Sequence, residues 1–155
     1  MIVRVILYFT LIFSVSACAL KPVEVKKYSD FSSYKYVYIS KAKNVISSGV
    51  TNGYYYTYGY TTALNPVDII AGKFMKKGLV IVNEINHPEE TLIVNYAESG
   101  RREVLKGFAG DAVEISIQVI DAKNSDLVYL CAAEGQGEME ADNIREAISR
   151  CLNDM

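Results

Sequence analysis

The segment from Ala112 to Asp121 constrains the fold most strongly, because its side chains alternate in polarity from Val113 to Val119. One face carries β-branched residues and the other carries polar residues: Val113, Ile115, Ile117 and Val119 against Glu114, Ser116 and Gln118. A period of two is the period of a β-strand whose two faces meet different surroundings. We therefore expect a half-buried strand of an antiparallel sheet, covered on one face by other apolar elements.

A second strand is predicted over Leu127–Glu134, after a turn near residues 122–125. The length of that turn decides where Cys131 lies, because a one-residue shift in register moves every side chain to the opposite face. A three-residue loop places Cys131 opposite Ile117, on the buried face. A four-residue loop places it opposite Ser116, on the other face, and the sequence leaves both registers open.

The first of two predicted helices spans Asn65–Lys77. Asn65 can accept a hydrogen bond as the N-cap, and Pro66 suits the first helical position. Gly78 suits the left-handed position that follows a last turn. The apolar stripe of this helix consists of Val67, Ile70, Ala71 and Phe74.

The second helix is predicted from a cap at Asp142 through about Leu152. Its apolar stripe consists of Ile144, Ala147, Ile148, Cys151 and Leu152, so Cys151 faces the core. If Cys131 also lies on the buried face, the two cysteines can form a disulfide that closes a loop of about 20 residues. Otherwise they are two free, buried thiols.

Further strands are predicted over Lys35–Ser40, Leu79–Ile85 and Thr91–Glu98, with a long loop over Ser99–Asp111. The short turn between the second and third of these strands predicts an antiparallel pair. The order β-α-β-β-β-β-α indicates an α+β fold. We expect a two-layer sandwich, in which a mostly antiparallel sheet of about five strands carries both helices on one face.

A tyrosine-rich segment over about residues 41–62 is predicted to be a loop or an irregular hairpin, because it contains glycines and the turn signal Asn52-Gly53. Five tyrosines fall within seven residues: Tyr54, Tyr55, Tyr56, Tyr58 and Tyr60. Tyrosine gives rigid amphipathic contact area, so these residues are the candidate contact surface for a glycan, a peptide or an envelope protein. The alternative is a loop that covers the second face of the sheet.

Residues able to catalyse a reaction are few. The chain has one histidine, His87, in a predicted turn beside Glu89 and Glu90, and any catalytic triad would have to use it. That spacing is unspecific for a metal, and the sequence has no Cys-His cluster for zinc. Asp and Glu are scattered along the chain, so a carboxylate pair for glycoside hydrolysis stays open, but no spacing singles one out. We expect no catalytic residue, no metal site and no cofactor.

The N-terminus carries Arg4, an apolar run from about Val5 to Phe13, and small residues up to Ala17. This pattern is typical of an export signal. The run is too short for a spanning helix, which needs roughly 20 apolar residues. The alternatives to a lipid-attachment signal are an ordinary secretory signal and a short anchor.

The residues Val15-Ser16-Ala17-Cys18 resemble the bacterial lipobox, which has a branched aliphatic residue, two small residues and a cysteine. The resemblance implies cleavage before Cys18, diacylglycerol on its sulfur and usually an acyl chain, such as palmitate, on the new amine. Two or three chains give stable anchoring, whereas one chain is marginal. Because Ala19 and not Asp follows, the resemblance also implies sorting to the outer membrane.

The mature chain resembles a group of small, functionally uncharacterised bacterial lipoproteins with one periplasmic α+β domain. The resemblance rests on FSSYKYVYI, KKGL and IQVIDAKNSDLVYL. The chain departs from that group at Asn124-Ser125, where glycine is common, and at Tyr129, where tryptophan is common. The resemblance implies a fold and a location but no activity.

Half of the residues are hydrophobic and 22% are charged, which is a globular composition, and the net charge of −2 does not favour nucleic acid. Removing residues 1–17 as a signal peptide leaves a tether over 18–29 and a single domain over 30–155. We expect an outer-membrane lipoprotein, anchored through the lipid on Cys18 and facing the periplasm. Its expected role is structural or partner-binding, with an envelope protein or a glycan as partner. The alternatives are an envelope enzyme that acts on glycan or peptidoglycan, and an accessory subunit of an export or assembly complex.

Overall fold

Two helices pack against a six-stranded sheet, and a two-stranded hairpin forms a separate sheet. The protein is represented by a computed structural model that describes residues 20–52, 57–104, 110–153 and 155, without the side chains of residues 49–60. The elements are β1 (Glu24–Lys27), β2 (Tyr36–Ile39), β3 (Val45–Asn52), β4 (Thr57–Leu64), α1 (Pro66–Lys76), β5 (Val80–Val82), a 3-10 turn (Pro88–Glu90), β6 (Thr91–Glu103), β7 (Asp111–Asp121), β8 (Leu127–Gly135) and α2 (Glu140–Leu152). The predicted α+β class is confirmed.

The strands of the main sheet follow the order β1-β8-β7-β6-β2-β5. The pairs β1–β8, β8–β7 and β7–β6 are antiparallel. In contrast, β2 pairs in parallel with both β6 and β5. The sheet is therefore mostly antiparallel, as predicted, with a parallel part at one edge.

The core lies between the sheet and the two helices. The face of β7 that the alternation predicts to be buried is buried. Its four side chains are at most 1% exposed: Val113, Ile115, Ile117 and Val119. These residues belong to one core cluster with the predicted stripe of α2: Ile144, Ala147, Ile148, Cys151 and Leu152. Full burial of a side chain of this size contributes roughly 1.5–3 kcal/mol, so this seam is a large part of what stabilises the fold.

Local signals place α1 where the sequence predicts it. The Asn65 side chain accepts a hydrogen bond from Val67 N at 3.1 Å, and Pro66 is the first residue of the helix. Gly78 follows the helix with a φ of 85°, in the left-handed region that favours glycine. The stripe of α1 buries Phe74 completely.

The predicted start of α2 is wrong, because the helix begins at Glu140 and Met139 takes the N-cap position without a side-chain capping bond. Ser47 of β3 supplies the cap instead, since its Oγ accepts a hydrogen bond from Ala141 N at 3.0 Å. The two residues are 94 positions apart, so no local pattern could reveal this cap. Asp142 lies in the first turn, where the helix dipole favours an anion.

The predicted antiparallel pairing of the strands now seen as β5 and β6 is wrong. Both lie parallel to β2, which separates them. β5 has only three residues, about 10 Å of strand. The connection over residues 83–90 is therefore long enough to return along β5 and pass β2. A short connection limits the distance between two strands but does not fix their direction.

The loop predicted over Ser99–Asp111 is also shorter than expected. β6 continues to Glu103, which pairs with Asp111 at the start of β7, and residues 105–109 lie outside the described residues. A bulge between Glu98 and Gly100 shifts the register. It breaks the alternation that would have revealed a continuous strand.

Cys131 lies opposite Ile117, on the buried face. The turn nevertheless has four residues, closed by a hydrogen bond from Asp121 N to Asp126 O at 2.9 Å. The register then shifts by one residue, with Val128 as the extra residue of β8. This bulge restores the buried face that the three-residue loop predicted, so turn length alone did not decide the register.

Two segments predicted to be irregular contain strands. β1 lies within the tether predicted over 18–29 and pairs with β8, so that prediction is wrong from Glu24 onward. All four residues of β1 are exposed, which removes the alternation that marks a strand. The tyrosine-rich segment contains two antiparallel strands, β3 and β4, which pair without a shift in register, and their connection over residues 53–56 lies outside the described residues. Among the described residues, no helix is long and apolar enough to cross a membrane.

Candidate functional site

A disulfide fastens α2 to β8. The Sγ atoms of Cys131 and Cys151 are 2.03 Å apart, and both residues are fully buried. Tyr129 adds a second link, since its buried hydroxyl donates a hydrogen bond to the Cys151 carbonyl. The buried-face register of β8 and the apolar stripe of α2 together bring the two cysteines within bonding distance.

The other predicted site residues lie outside the described side chains. Cys18 and Tyr54–Tyr56 are outside the described residues. Tyr58 and Tyr60 lie on β4, but only their backbone is described. The lipid on Cys18 and the tyrosine contact surface therefore stay predictions.

His87 lies at the surface between β5 and β6, and 59% of its side chain is exposed. Its ring stacks on Tyr36, with ring centroids 5.6 Å apart. Its Nδ1 lies 3.9 Å from Glu89 Oε1. Within the described ranges, no group of three or more His, Cys, Asp or Glu side chains is arranged to hold a metal ion. The contacts of His87 give it a packing role beside β2.

The most organised group of charges surrounds Glu134, near the end of β8. Its carboxylate side chain is only 2% exposed. Arg102, from β6, donates two hydrogen bonds to it, from Nε at 3.1 Å and from Nη2 at 2.7 Å. A carboxylate is buried at tolerable cost only when it is paired and hydrogen-bonded. The bidentate arginine meets that requirement.

The segment ahead of β1 completes this group. Lys21 N donates to Glu134 Oε2 at 3.0 Å, and Lys21 Nζ lies 3.2 Å from Glu134 Oε1 and 3.1 Å from Glu114 Oε2. Arg150, from α2, donates to the carbonyls of Lys21, at 2.8 Å, and Glu134. We name the five residues the N-terminal clamp: Lys21, Arg102, Glu114, Glu134 and Arg150. The clamp joins the N-terminal segment to three strands and the last helix.

The clamp holds its carboxyl groups in the ionised form. The hydrogen bonds from Arg102 lower the pKa of Glu134 from an ordinary 4.5 to about 2, although burial acts in the opposite direction. The hydrogen bond from Lys21 lowers the pKa of Glu114, and the hydrogen bond to Glu114 raises the pKa of Lys21. A general acid or base works best with a pKa near the working pH. These carboxyl groups are therefore poorly suited to proton transfer at neutral pH.

The sequence interpretation misses the clamp, because its members are spread between residues 21 and 150 and Lys21 belongs to the predicted tether. One signal was present in the sequence. Glu134 directly follows the run Leu130-Cys131-Ala132-Ala133 within a predicted strand. A charge at the end of such a run needs a partner if it is buried, but its identity depends on strand pairing.

A second feature is an open cleft of about 490 Å³ at the carboxyl ends of the parallel strands β2 and β5. The first residues of α1 form its other side, and its polar lining consists of Tyr38, Lys41, Asn65 and Asn83. Ser40, which follows β2 and precedes Lys41, is held in place by two hydrogen bonds. Its N donates to Val94 O at 2.9 Å, and its Oγ donates to Asn95 Oδ1 at 2.7 Å. These bonds set the position at which Lys41 leaves the sheet.

No family model and no curated protein matches this sequence. Among solved structures, the chain is similar to the PelC dodecamer from Paraburkholderia phytofirmans, with a TM-score of 0.51, 13% sequence identity and coverage of 86% of this chain and 95% of that chain. A PelC variant from the same organism, also a dodecamer, gives a TM-score of 0.49 at 15% identity, covering 85% and 91% of the two chains. A PDZ domain protein from Parabacteroides distasonis gives 0.41 at 14% identity, covering 77% of this chain and 31% of that chain. The first similarity shows a shared fold, which by itself does not determine function.

Proposed function

We propose that this protein is an outer-membrane lipoprotein, anchored through a lipid on Cys18, with a non-catalytic structural or partner-binding role on the periplasmic side. The structural observation that carries the proposal is the buried disulfide between Cys131 and Cys151. Disulfides persist in oxidising compartments such as the periplasm and are rare in the cytosol. The disulfide lies in the folded core, so it supports export to an oxidising compartment independently of the predicted signal peptide over residues 1–17.

The clamp supports an anchor of short reach. Lys21 comes three positions after Cys18, and a chain extends by at most about 3.6 Å per residue, or about 11 Å over this interval. Because the clamp fixes Lys21 to the fold, the domain would rest close to the membrane surface. The low pKa of Glu134 supports a structural role for the clamp.

Replacement of Cys18 tests the anchor. In cells that express the full chain, the wild type should appear in the outer-membrane fraction and incorporate labelled palmitate, because the lipid is attached to this residue. Cys18→Ser should do neither. Cys131→Ser is the matched control, since it removes a cysteine outside the lipobox and should retain the label. Persistence of both signals in Cys18→Ser would disprove the lipid anchor.

One form of partner binding is assembly with further copies of the chain. We include it because the PelC structure of similar fold is a dodecamer. Light scattering of the full chain in a neutral detergent measures the mass of the assembly. The mass of a single chain would remove this form of the proposal and leave the anchor proposal intact.

A further inference from the structure

The cleft at the carboxyl ends of β2 and β5 differs from the clamp in how its polar groups are used. In the clamp, Glu134 and Lys21 have several partners within the fold. In the cleft, no described residue bonds to the Tyr38 hydroxyl, to Lys41 Nζ or to the Asn83 side-chain amide. Asn65 uses its Oδ1 to cap α1, which leaves its Nδ2 group without a described acceptor. The cleft thus gathers four polar groups that the described fold does not use.

The local charge of the cleft is opposite to that of the whole chain. The chain has a net charge of −2, yet no acidic residue is among the described residues that line the cleft, and Lys41 supplies a cation. The N-terminus of α1 adds a positive partial charge at the same rim, which Asp68 in the first turn reduces. The cleft therefore favours an anion over a cation.

The rest of the lining is apolar, with Ile39, Val67 and Val82 beside the Tyr38 ring. The volume of about 490 Å³ lies within the range of roughly 300–1,000 Å³ that is typical of small-molecule sites. Its location resembles that of known ligand sites in one respect. The cleft lies at the carboxyl ends of the parallel strands β2 and β5, and open parallel sheets of α/β proteins bind ligands outside the carboxyl ends of their strands.

We propose that this cleft binds a small organic anion, a carboxylate or a phosphate monoester attached to an apolar or aromatic group. Lys41 pairs with the anionic group, and the amides of Asn65 and Asn83 donate hydrogen bonds to its oxygens. The apolar lining and the Tyr38 ring hold the remainder of the ligand. The binding site does not depend on how the chain is anchored.

The test uses phenyl phosphate and benzoate as probes, with phenol as their uncharged counterpart. Each is titrated into the ¹⁵N-labelled full chain in a neutral detergent, and the amide resonances are followed. Both anions should shift the resonances of Lys41, Val67 and Asn83 in a saturable manner, and phenol should bind about fivefold more weakly or worse. The anion with the lower Kd identifies the preferred acid group.

Two substitutions locate the binding energy. Lys41→Gln should raise the Kd of the preferred anion about fivefold, because it removes the cation. Asn83→Asp should raise it about tenfold or more, because it adds a negative charge with almost no change of shape. Lys43→Gln is the matched control, since Lys43 is also exposed but does not line the cleft. It should leave the Kd unchanged.

All three substitutions are at exposed positions, and an unchanged spectrum outside the cleft will show that each variant folds. Three results would overturn the proposal: resonance shifts that do not saturate, shifts that spread equally over surface lysines, or an equal effect of Lys41→Gln and Lys43→Gln on the Kd.

Discussion

Replacement of Glu134 by glutamine removes the central charge of the clamp and keeps its shape. The pKa of Glu134 is about 2 in the folded protein, against an ordinary 4.5. Each pKa unit corresponds to about 1.4 kcal/mol, so the ionised carboxylate contributes up to about 3 kcal/mol to the free energy of unfolding at neutral pH. Its partners Arg102 and Lys21 are partly exposed, and glutamine keeps one acceptor oxygen. We therefore expect Glu134→Gln to cost about 2 kcal/mol.

The pH dependence has a definite sign. Because the folded pKa of Glu134 is depressed, its contribution is present above the ordinary pKa of 4.5 and is lost as the pH falls towards 2. Wild type and Glu134→Gln should therefore differ most at neutral pH and converge in acid. Urea unfolding followed by circular dichroism at about pH 7 and about pH 3 measures this difference.

Glu90→Gln is the control for removal of an exposed charge. Glu90 pairs with Lys35 Nζ at 2.6 Å but is 32% exposed, so its loss should cost less than about 1 kcal/mol. Equal losses in Glu134→Gln and Glu90→Gln would refute the reasoning. It would also be refuted by a difference between wild type and Glu134→Gln that stays the same in acid.

Other substitutions test the remaining contacts. Replacing both Cys131 and Cys151 by alanine should lower the free energy of unfolding by about 3 kcal/mol in urea, because the disulfide closes a loop across a sequence separation of 20. Gly135→Ala should cost about 3 kcal/mol or more by the same assay, because its Cβ would lie 1.9 Å from a carbonyl oxygen of α2. Gly72→Ala in α1 should instead raise the free energy of unfolding by about 0.5–1 kcal/mol, because the new Cβ would have no atom within 4 Å and alanine favours a helix over glycine. Ser47→Ala removes the cap of α2 and should lower the Tm through a loss of about 1 kcal/mol.

Elements whose signals are local could be predicted from the sequence. The cap at Asn65 and the left-handed Gly78 lie within a residue or two of the ends of α1, so the helix has nearly its predicted bounds. The alternation in β7 likewise gave its buried face. In each case, neighbouring residues supply the interactions that set the structure.

Features set by distant residues could not be predicted. The cap of α2 comes from Ser47, the register of Cys131 depends on a bulge, and β1 is an exposed edge strand without alternation. The clamp could not be predicted either, because Lys21, Arg102 and Glu134 meet only after the strands have paired. For the same reason, the cleft could not be placed before β2 and β5 were known to be parallel.

The clamp also decides how the fold bears a mechanical load. If the chain is anchored through Cys18, as proposed, tension on it would reach the fold first at Lys21, whose N–H is bonded to Glu134 and whose carbonyl is bonded to Arg150. β1 forms only four residue pairs with β8, and an edge strand this short would detach pair by pair if it carried the tension alone. The clamp diverts part of the tension into α2, which the disulfide holds to β8. With the proposed anchor, drag on the domain would thus be shared by the centre of the fold before the first strand separates.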